Sequence, residues 1–284
     1  MAQNTQTTNP MGYSLPQPIR PTKNKAVDTR MRFADLFCGG GFFSLGFQRA
    51  GFKHVFGLDN WKLACATYEL NIGKAFCMKI EDFDGKEWAG KVDVVIGSPP
   101  CKTWSKANTK TRSCDLTLTK EFFRVVGEIK PKIWVMENVP DVYPFIHAPF
   151  KKIFSMESYG LLQQRKRCFA SNVPLNLKKE KHKYLTPEKA KKLQQFRKKV
   201  IHTQFQTITC RYNSFTKISP HIQDKQGIRV ITHTEAMQLQ TIPFDFKFPK
   251  ANQREIENLI GNAVPPLFAY KVALSIKTRR QING

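Results

Sequence analysis

The sequence has 284 residues, enough for one large domain and a small one, and 46 Lys and Arg against 22 Asp and Glu give a formal net charge of +24. This charge favours a polyanionic partner, with nucleic acid ahead of an acidic membrane surface, and argues against a small-molecule substrate. No apolar run approaches the ~18 residues of a membrane span, and we expect no signal peptide. The seven cysteines lack paired Cys-x-x-Cys spacing and the six histidines lack a His-x-x-x-His pair, so we expect no disulfide framework, no metal site and a reducing, intracellular compartment.

The first elements are typical of a nucleotide-binding unit. Residues 1–29 are rich in Thr, Asn, Gln and Pro, which predicts a disordered tail. A predicted strand at 31–36 is followed by a glycine turn at 37–41 and a helix from Phe42. Glycines let the backbone approach a ligand, and a helix N-terminus favours a negative group. An ordinary tight turn is the alternative, and Ser44 in place of a third glycine argues against a dinucleotide-dependent dehydrogenase.

Acidic residues follow the next two predicted strands. The strand at 54–58 ends in Asp59, which is placed to hold ribose hydroxyls. A third strand, predicted at 75–80, ends in Glu-Asp-Phe at 81–83, where a carboxylate can accept a hydrogen bond from an adenine amino group. Both positions favour a cofactor with an adenosine part.

A possible nucleophile follows the apolar run 92–96, in the Gly-Ser-Pro-Pro-Cys motif at 97–101. Ligands of open α/β sheets bind outside the carboxyl ends of the strands, so Cys101 is placed where a nucleophile is used. A buried structural cysteine is the alternative. The next predicted strand, 132–136, delivers Glu137 as a candidate general acid, with a solvated carboxylate as the alternative.

The second half of the sequence carries candidate nucleic-acid contacts. The polar, basic segment 102–118 predicts a functional loop, and 117–129 predicts a helix. In the Gln-Gln-Arg-Lys-Arg motif at 163–167 the two arginines share one face of an extended segment. We expect Arg165 to reach the target base and Arg167 to be structural, or both to bind phosphate. The Lys-rich run 178–199 predicts phosphate contacts, and the candidate readers of base edges are Gln206, Arg211, Tyr212 and Asn213.

The ordered motifs resemble the cytosine-5 DNA methyltransferase family. The matching segments are Asp-Leu-Phe-x-Gly-x-Gly at 35–41, Pro-Pro-Cys at 99–101, Glu-Asn-Val at 137–139, Gln-x-Arg-x-Arg at 163–167, Arg-x-x-Thr-x-x-Glu at 229–235 and Gly-Asn-x-Val at 261–264. The resemblance covers about residues 31–275. It implies an α/β, Rossmann-like, S-adenosylmethionine-dependent fold with a mostly parallel, doubly wound sheet. We expect a catalytic domain at 30–170, a small target-recognition domain at 171–250 and a returning C-terminal segment at 251–284.

The resemblance also implies the site and its chemistry. Cys101 adds to C6 of a flipped cytosine, with Glu137 and Arg165 as the other catalytic residues, and C5 accepts a methyl group from S-adenosyl-L-methionine. The residues that it implies for the cofactor are Phe37, Gly39, Gly41, Asp59, Asp82, Phe83, Pro100 and Asn262. Trp61, one position later than the family's aromatic residue, leaves adenine stacking open.

Three functions fit these observations. The first is a monomeric DNA cytosine-5 methyltransferase that acts on double-stranded DNA, as in restriction-modification. The second is a tRNA cytosine-5 methyltransferase of the same fold, although the Cys-Phe-Thr tripeptide that those enzymes carry is absent from the sequence. The third is a catalytically silent nucleic-acid-binding module, which would need none of Cys101, Glu137 and Arg165 together.

Overall fold

A seven-stranded sheet lies at the centre of the computed structural model, which describes residues 31–100, 102–103, 114–180, 205–214, 220–224 and 227–280. The sheet order is β3-β2-β1-β4-β7-β9-β8, and its first five strands are parallel. Its last two strands are antiparallel to their neighbours. The strands are β1 Arg32–Leu36, β2 Lys53–Asp59, β3 Ala75–Cys77, β4 Val94–Gly97, β7 Ile133–Asn138, β8 Phe150–Ser155 and β9 Lys166–Ser171, and the short pairs are β5 Lys102–Thr103 with β6 Cys114–Asp115 and β10 His221–Asp224 with β11 Gly227–Val230.

Helices cover both faces of the sheet, because its central strands are apolar on both faces. One face packs Phe33, Val94 and Val135 under α1 and α6. The other packs Leu36 and Val95 under α3. The helices are α1 Phe42–Arg49, α2 Lys62–Asn71, α3 Thr117–Ile129, α4 His233–Leu239, α5 Gln253–Asn262 and α6 Pro266–Arg280. The predicted doubly wound α/β fold is confirmed.

The contact between α1 and α6 depends on a glycine. A Cβ atom added at Gly46 would lie 2.4 Å from Cβ of Ala269 and 2.5 Å from the backbone nitrogen of Tyr270. Real Cβ atoms do not approach so closely, so any side chain here would push the two helices apart. The C-terminal segment thus returns to the catalytic unit through small residues.

Each predicted strand differs from the observed one at one or both ends, most of all the third. The third ends at Cys77, and residues Ile80–Asp82 form a 3₁₀-helix because Ile80 turns into the core with Phe83. The strand expected at 92–96 is Val94–Gly97. The helix expected at 117–129 has the predicted bounds.

A third apolar cluster joins residues of the predicted recognition and C-terminal segments to α1. It contains Phe205, Ile208, Leu239 and Ile260 together with Phe42 of α1. The domain boundary at 171 and the one at 250 stay predictions. The tail at 1–29 and most of the basic run at 178–199 lie outside the described residues, as does the greater part of the loop at 102–118.

One stretch, 253–277, has the length and apolar composition of a membrane span. Of its most apolar window, 72% is buried inside the fold. That burial is typical of a core helix, and Phe268 and Val272 of α6 are fully buried against the sheet.

Candidate active site

A cavity of about 420 Å³ opens at the carboxyl edge of the parallel strands. Segments that follow β1, β2, β3, β4 and β7 form most of its wall, and the junction between α5 and α6 closes one side. This is the edge at which open α/β sheets bind ligands. The sequence-predicted site residues that line it are Phe37, Gly39, Asp59, Pro100, Glu137 and Asn262.

The glycine turn after β1 forms the floor of the cavity. Phe37 has a φ of 58° and Gly39 a φ of 52°, so the chain turns sharply through the left-handed region. The backbone N–H of Gly39 donates to Oδ2 of Asp59 at 2.9 Å. Gly41 has another role: it precedes α1, and a Cβ there would lie 2.5 Å from Cγ1 of Ile72, so it permits contact with α2.

Asp59 is the central polar group at this end of the cavity. Its Oδ1 accepts from the backbone N–H of Trp61 at 2.9 Å, so two amides orient the carboxylate. Burial raises the pKa of Asp59, while these amide hydrogen bonds oppose the rise. Trp61 also lines the cavity. A carboxylate held in this way keeps lone pairs for a ligand's hydroxyl groups.

The acidic group after β3 differs from the sequence prediction. Glu81 lines the cavity, together with Ile80. Asp82 is exposed and outside the cavity wall. Phe83 packs in the core with its ring centroid 5.3 Å from that of Phe56. The 3₁₀-helix causes this difference, since it rotates successive side chains away from the alternation of an extended strand.

The segment after β4 is fixed to the end of β7. Nδ2 of Asn138 donates to the carbonyl oxygen of Pro99 at 3.0 Å, and both residues line the cavity. Oγ of Ser98 is buried in the same wall and finds no hydrogen-bond partner among the residues that the structure describes. Cys101, two residues beyond Pro99, lies outside the described residues.

An ion pair between β7 and β9 lies in the cavity wall. Nε of Arg167 lies 3.0 Å from Oε1 of Glu137, and both side chains line the cavity. Glu137 is 6% exposed. The two residues share a face of the sheet because Glu137 pairs with Phe169, two positions from Arg167.

Arg165 occupies a different environment, in which it is 1% exposed. Nη1 donates to the carbonyl of Ile208 at 2.8 Å, and Nη2 donates to those of Gly261 and Ala263 at 3.2 and 2.9 Å. Burial lowers its pKa well below the ordinary value. The two arginines therefore occupy the reverse of the expected positions, with Arg167 at the cavity and Arg165 inside the fold.

Comparisons with known proteins identify the family of the chain. The family model for C-5 cytosine-specific DNA methylase matches residues 31–148 and 175–278. The chain belongs to this family. It is 28% identical to the type II methyltransferase M.MthTI of Methanothermobacter thermautotrophicus, over 87% of this chain and 97% of that one. It is also 28% identical to M.HindV of Haemophilus influenzae, over 87% and 96%.

Solved structures of low identity share the fold of this C-5 cytosine methylase. S. pombe Dnmt2 superposes with a TM-score of 0.67 at 16% identity, covering 88% of this chain and 99% of that one. The Entamoeba histolytica methyltransferase EhMeth gives 0.65 at 12% identity, with the same coverage. The family and its named relatives identify the chain as an enzyme, a DNA cytosine-5 methyltransferase.

The residues expected to read base edges are only partly accessible in the structure. Tyr212, an expected reader of base edges, is fully buried, and its hydroxyl contacts Nδ1 of His233 at 2.5 Å. The prediction for Tyr212 is wrong because its ring is needed in the third apolar cluster. Gln206 and Arg211 are exposed, and Asn213 is half-buried.

A buried polar network connects this segment to the cavity. Oε1 of Gln163 accepts from the backbone N–H of Ile208 at 3.0 Å, while its Nε2 donates to Oε1 of Gln240 at 2.8 Å. Oδ1 of Asn262 accepts from Sγ of Cys210 at 3.0 Å, and Asn262 also lines the cavity. The order of the motifs along the chain does not indicate that Gln163 and Arg165 make buried hydrogen bonds to this segment.

Proposed function

We propose that this one cavity holds both S-adenosylmethionine and a cytosine flipped out of double-stranded DNA, and that methyl transfer proceeds through a covalent adduct with Cys101. The observation that carries the proposal is the arrangement of two polar sites in a single cavity. Asp59 and the glycine turn stand at one end, and the Glu137–Arg167 pair stands on another wall beside the Pro-Pro segment. A cofactor and a base bound there would be neighbours.

The residues present fit the cofactor. A cavity of about 420 Å³ is in the range for a ligand of this size. Asp59 would accept the ribose hydroxyls, Phe37 and Trp61 offer apolar contact, and Glu81 rather than Asp82 is placed for the adenine amino group. The unpartnered Oγ of Ser98 supports a bound polar group at this wall. When bound, S-adenosylmethionine supplies an electrophilic methyl group on a sulfonium sulfur.

The chain's own residues would make cytosine reactive toward that methyl group. The Cys101 thiolate adds to C6, forming an S–C6 bond and placing the electron pair on C5. Glu137, which Arg167 orients, would donate its carboxyl proton or a hydrogen bond to N3 of the base and so stabilise the negative charge that develops there. C5 would then accept the methyl group, whose bond to the sulfonium sulfur breaks with the electron pair staying on sulfur. Loss of the C5 proton breaks the S–C6 bond and releases Cys101.

The substrate polymer is DNA in this proposal, and the enzyme acts inside the cell, where DNA is. The match to the DNA methylase model and the type II names of the relatives support DNA over tRNA. The position of the Glu137–Arg167 pair inside a cavity supports base flipping, since a stacked base cannot enter it.

The test combines cofactor binding with mapping of the product. Calorimetry with S-adenosylmethionine should give an affinity that falls at least tenfold in Asp59→Ala and less than twofold in Asp82→Asn. Bisulfite sequencing of plasmid from cells that express the protein should show methylated cytosines, absent in Cys101→Ser. Equal affinity in Asp59→Ala and wild type would remove Asp59 from the cofactor site. Unmethylated plasmid together with methylated tRNA would overturn the DNA assignment.

A further inference from the structure

Basic residues lie at the amino edge of the central sheet, opposite the cavity. Arg32 and Lys53 begin the adjacent strands β1 and β2 and are paired in register. Lys91 precedes β4, and Lys130 and Lys132 precede β7. We call these five residues the amino-edge patch. Strands β2, β1, β4 and β7 are neighbours in the sheet, so the patch runs across four strands.

The patch is exposed and carries a net positive charge. Lys53, Lys91 and Lys130 are exposed, and the side chain of Lys132 is 64% exposed. Asp93 accepts from Nε of Arg32 at 3.2 Å and from Nζ of Lys132 at 2.7 Å, and despite its own burial these partners lower its pKa. The Asp93 carboxylate thus pairs with two of the five cationic side chains, so the patch keeps a net positive charge.

The sheet separates the patch from the reaction cavity. Phe37 and Gly39 line the cavity after the carboxyl end of β1, while Arg32 lies at its amino end. Five residues of strand at about 3.3 Å each put roughly 16 Å of sheet between the two edges. DNA has a persistence length of about 150 base pairs and bends at a cost. A straight duplex over the cavity therefore cannot also reach the patch.

We propose that the amino-edge patch binds the phosphate backbone of a second DNA duplex segment, so that one chain holds two segments at once. Three strand spacings of about 4.8 Å make the row of cations roughly 14 Å long. That length matches about four base pairs at ~3.4 Å each. Lysine and arginine contacts to phosphate carry no sequence information, so the second segment is bound without regard to sequence. The choice of DNA as the polyanion rests on the proposed function.

A capture assay tests this proposal with the full chain. A short duplex on beads is mixed with protein and a labelled second duplex, and the retained label is measured against salt. The patch variant is Lys53→Gln, Lys91→Gln and Lys130→Gln together. The matched control, Lys86→Gln, Lys247→Gln and Lys250→Gln, removes the same charge from exposed lysines elsewhere.

We expect wild type and control to retain the label and the patch variant to retain at least tenfold less. In both variants the midpoint of unfolding should match that of wild type. The rate of methyl transfer to a short duplex should stay within twofold of the wild-type rate. The proposal would be overturned if the patch variant captured as much label as wild type. It would also be overturned if the control lost as much capture as the patch variant, or if wild type captured no label. Because capture needs no methyl transfer, an inactive protein that still bridges duplexes would contradict the proposed function and leave this inference standing.

Discussion

Arg167 and Glu137 form an ion pair in the cavity wall, with 3.0 Å between Nε and Oε1, whereas Arg165, two residues earlier, donates to three buried carbonyls. The same motif thus supplies one arginine to the reaction site and one to the interior. The carbonyls that Arg165 binds belong to Ile208 and to the α5–α6 junction. Arg165 therefore links Ile208, inside the predicted recognition segment, to the wall that contains Asn262.

Arg167→Gln and Arg165→Gln should fail in different ways. We expect Arg167→Gln to lose about 100-fold or more in turnover, because it leaves Glu137 without its orienting partner, and to lose less stability than Arg165→Gln, because it breaks one ion pair and not three buried hydrogen bonds. Arg165→Gln should instead lose several kcal/mol of stability, since a buried carbonyl without a donor costs about 1–3 kcal/mol. Urea unfolding and single-turnover methyl transfer separate the two. A stable Arg165→Gln protein with no activity would contradict the assignment.

The sequence predicts which segments form the parallel sheet, because apolar runs and glycine turns are local signals, but the strand ends differ. At two places the sequence does not predict correctly which way the side chains point. The i, i+2 spacing puts Arg165 and Arg167 on one face only if the strand continues, but β9 begins at Lys166. After β3 the 3₁₀-helix places Glu81, and not Asp82, in the cavity wall. Both errors come from irregular backbone, which side-chain periodicity does not reveal.

The sequence also does not predict the long-range contacts of Tyr212. Tyr212 has a hydroxyl and an aromatic ring, and both suit base recognition as well as burial. Only the fold shows that residues 205–263 build a core with α1, in which the ring of Tyr212 is required. Neither composition nor residue spacing indicates the contact between Tyr212 and His233, which are 21 residues apart in the sequence.

Glu81 and Asp82 provide a direct comparison of neighbouring carboxylates. Glu81→Gln should weaken S-adenosylmethionine binding by about threefold to thirtyfold, because the amide replaces an acceptor oxygen with a donor at the cavity wall. Asp82→Asn should bind as wild type does, since that side chain lies outside the wall. Calorimetry on both proteins at the same salt concentration measures the difference. A larger effect for Asp82→Asn would restore the original prediction.

Cys101→Ser should abolish turnover with the fold intact, because a serine hydroxyl is a much weaker nucleophile than a thiolate near neutral pH. The matched control is Cys77→Ser, at an exposed cysteine of β3. Trapping with DNA that contains 5-fluorocytosine should give a covalent complex by mass spectrometry in wild type and control. A near-native methylation rate in Cys101→Ser would exclude the covalent route.

Asp35 should make the stability of the protein fall as pH rises above about 4. The side chain is 1% exposed, and its Oδ2 accepts from Oγ of Ser44 at 2.6 Å. Burial raises the pKa of Asp35 to about 8, and the Ser44 hydrogen bond opposes the rise. Between its unfolded pKa near ~3.9 and its folded pKa, the folded chain keeps a proton that the unfolded chain has released.

Because the unfolded state then binds fewer protons, the free energy of unfolding decreases with pH, by at most about 1.4 kcal/mol per unit from this group. Above pH 8 both states are ionised and the contribution levels off. Asp35→Asn removes the titration, so its urea midpoint should change less between pH 5 and 8 than that of wild type. Asp82→Asn, at an exposed carboxylate, is the control and should follow wild type. Parallel pH profiles for wild type and Asp35→Asn would show that Asp35 is ionised in the folded protein.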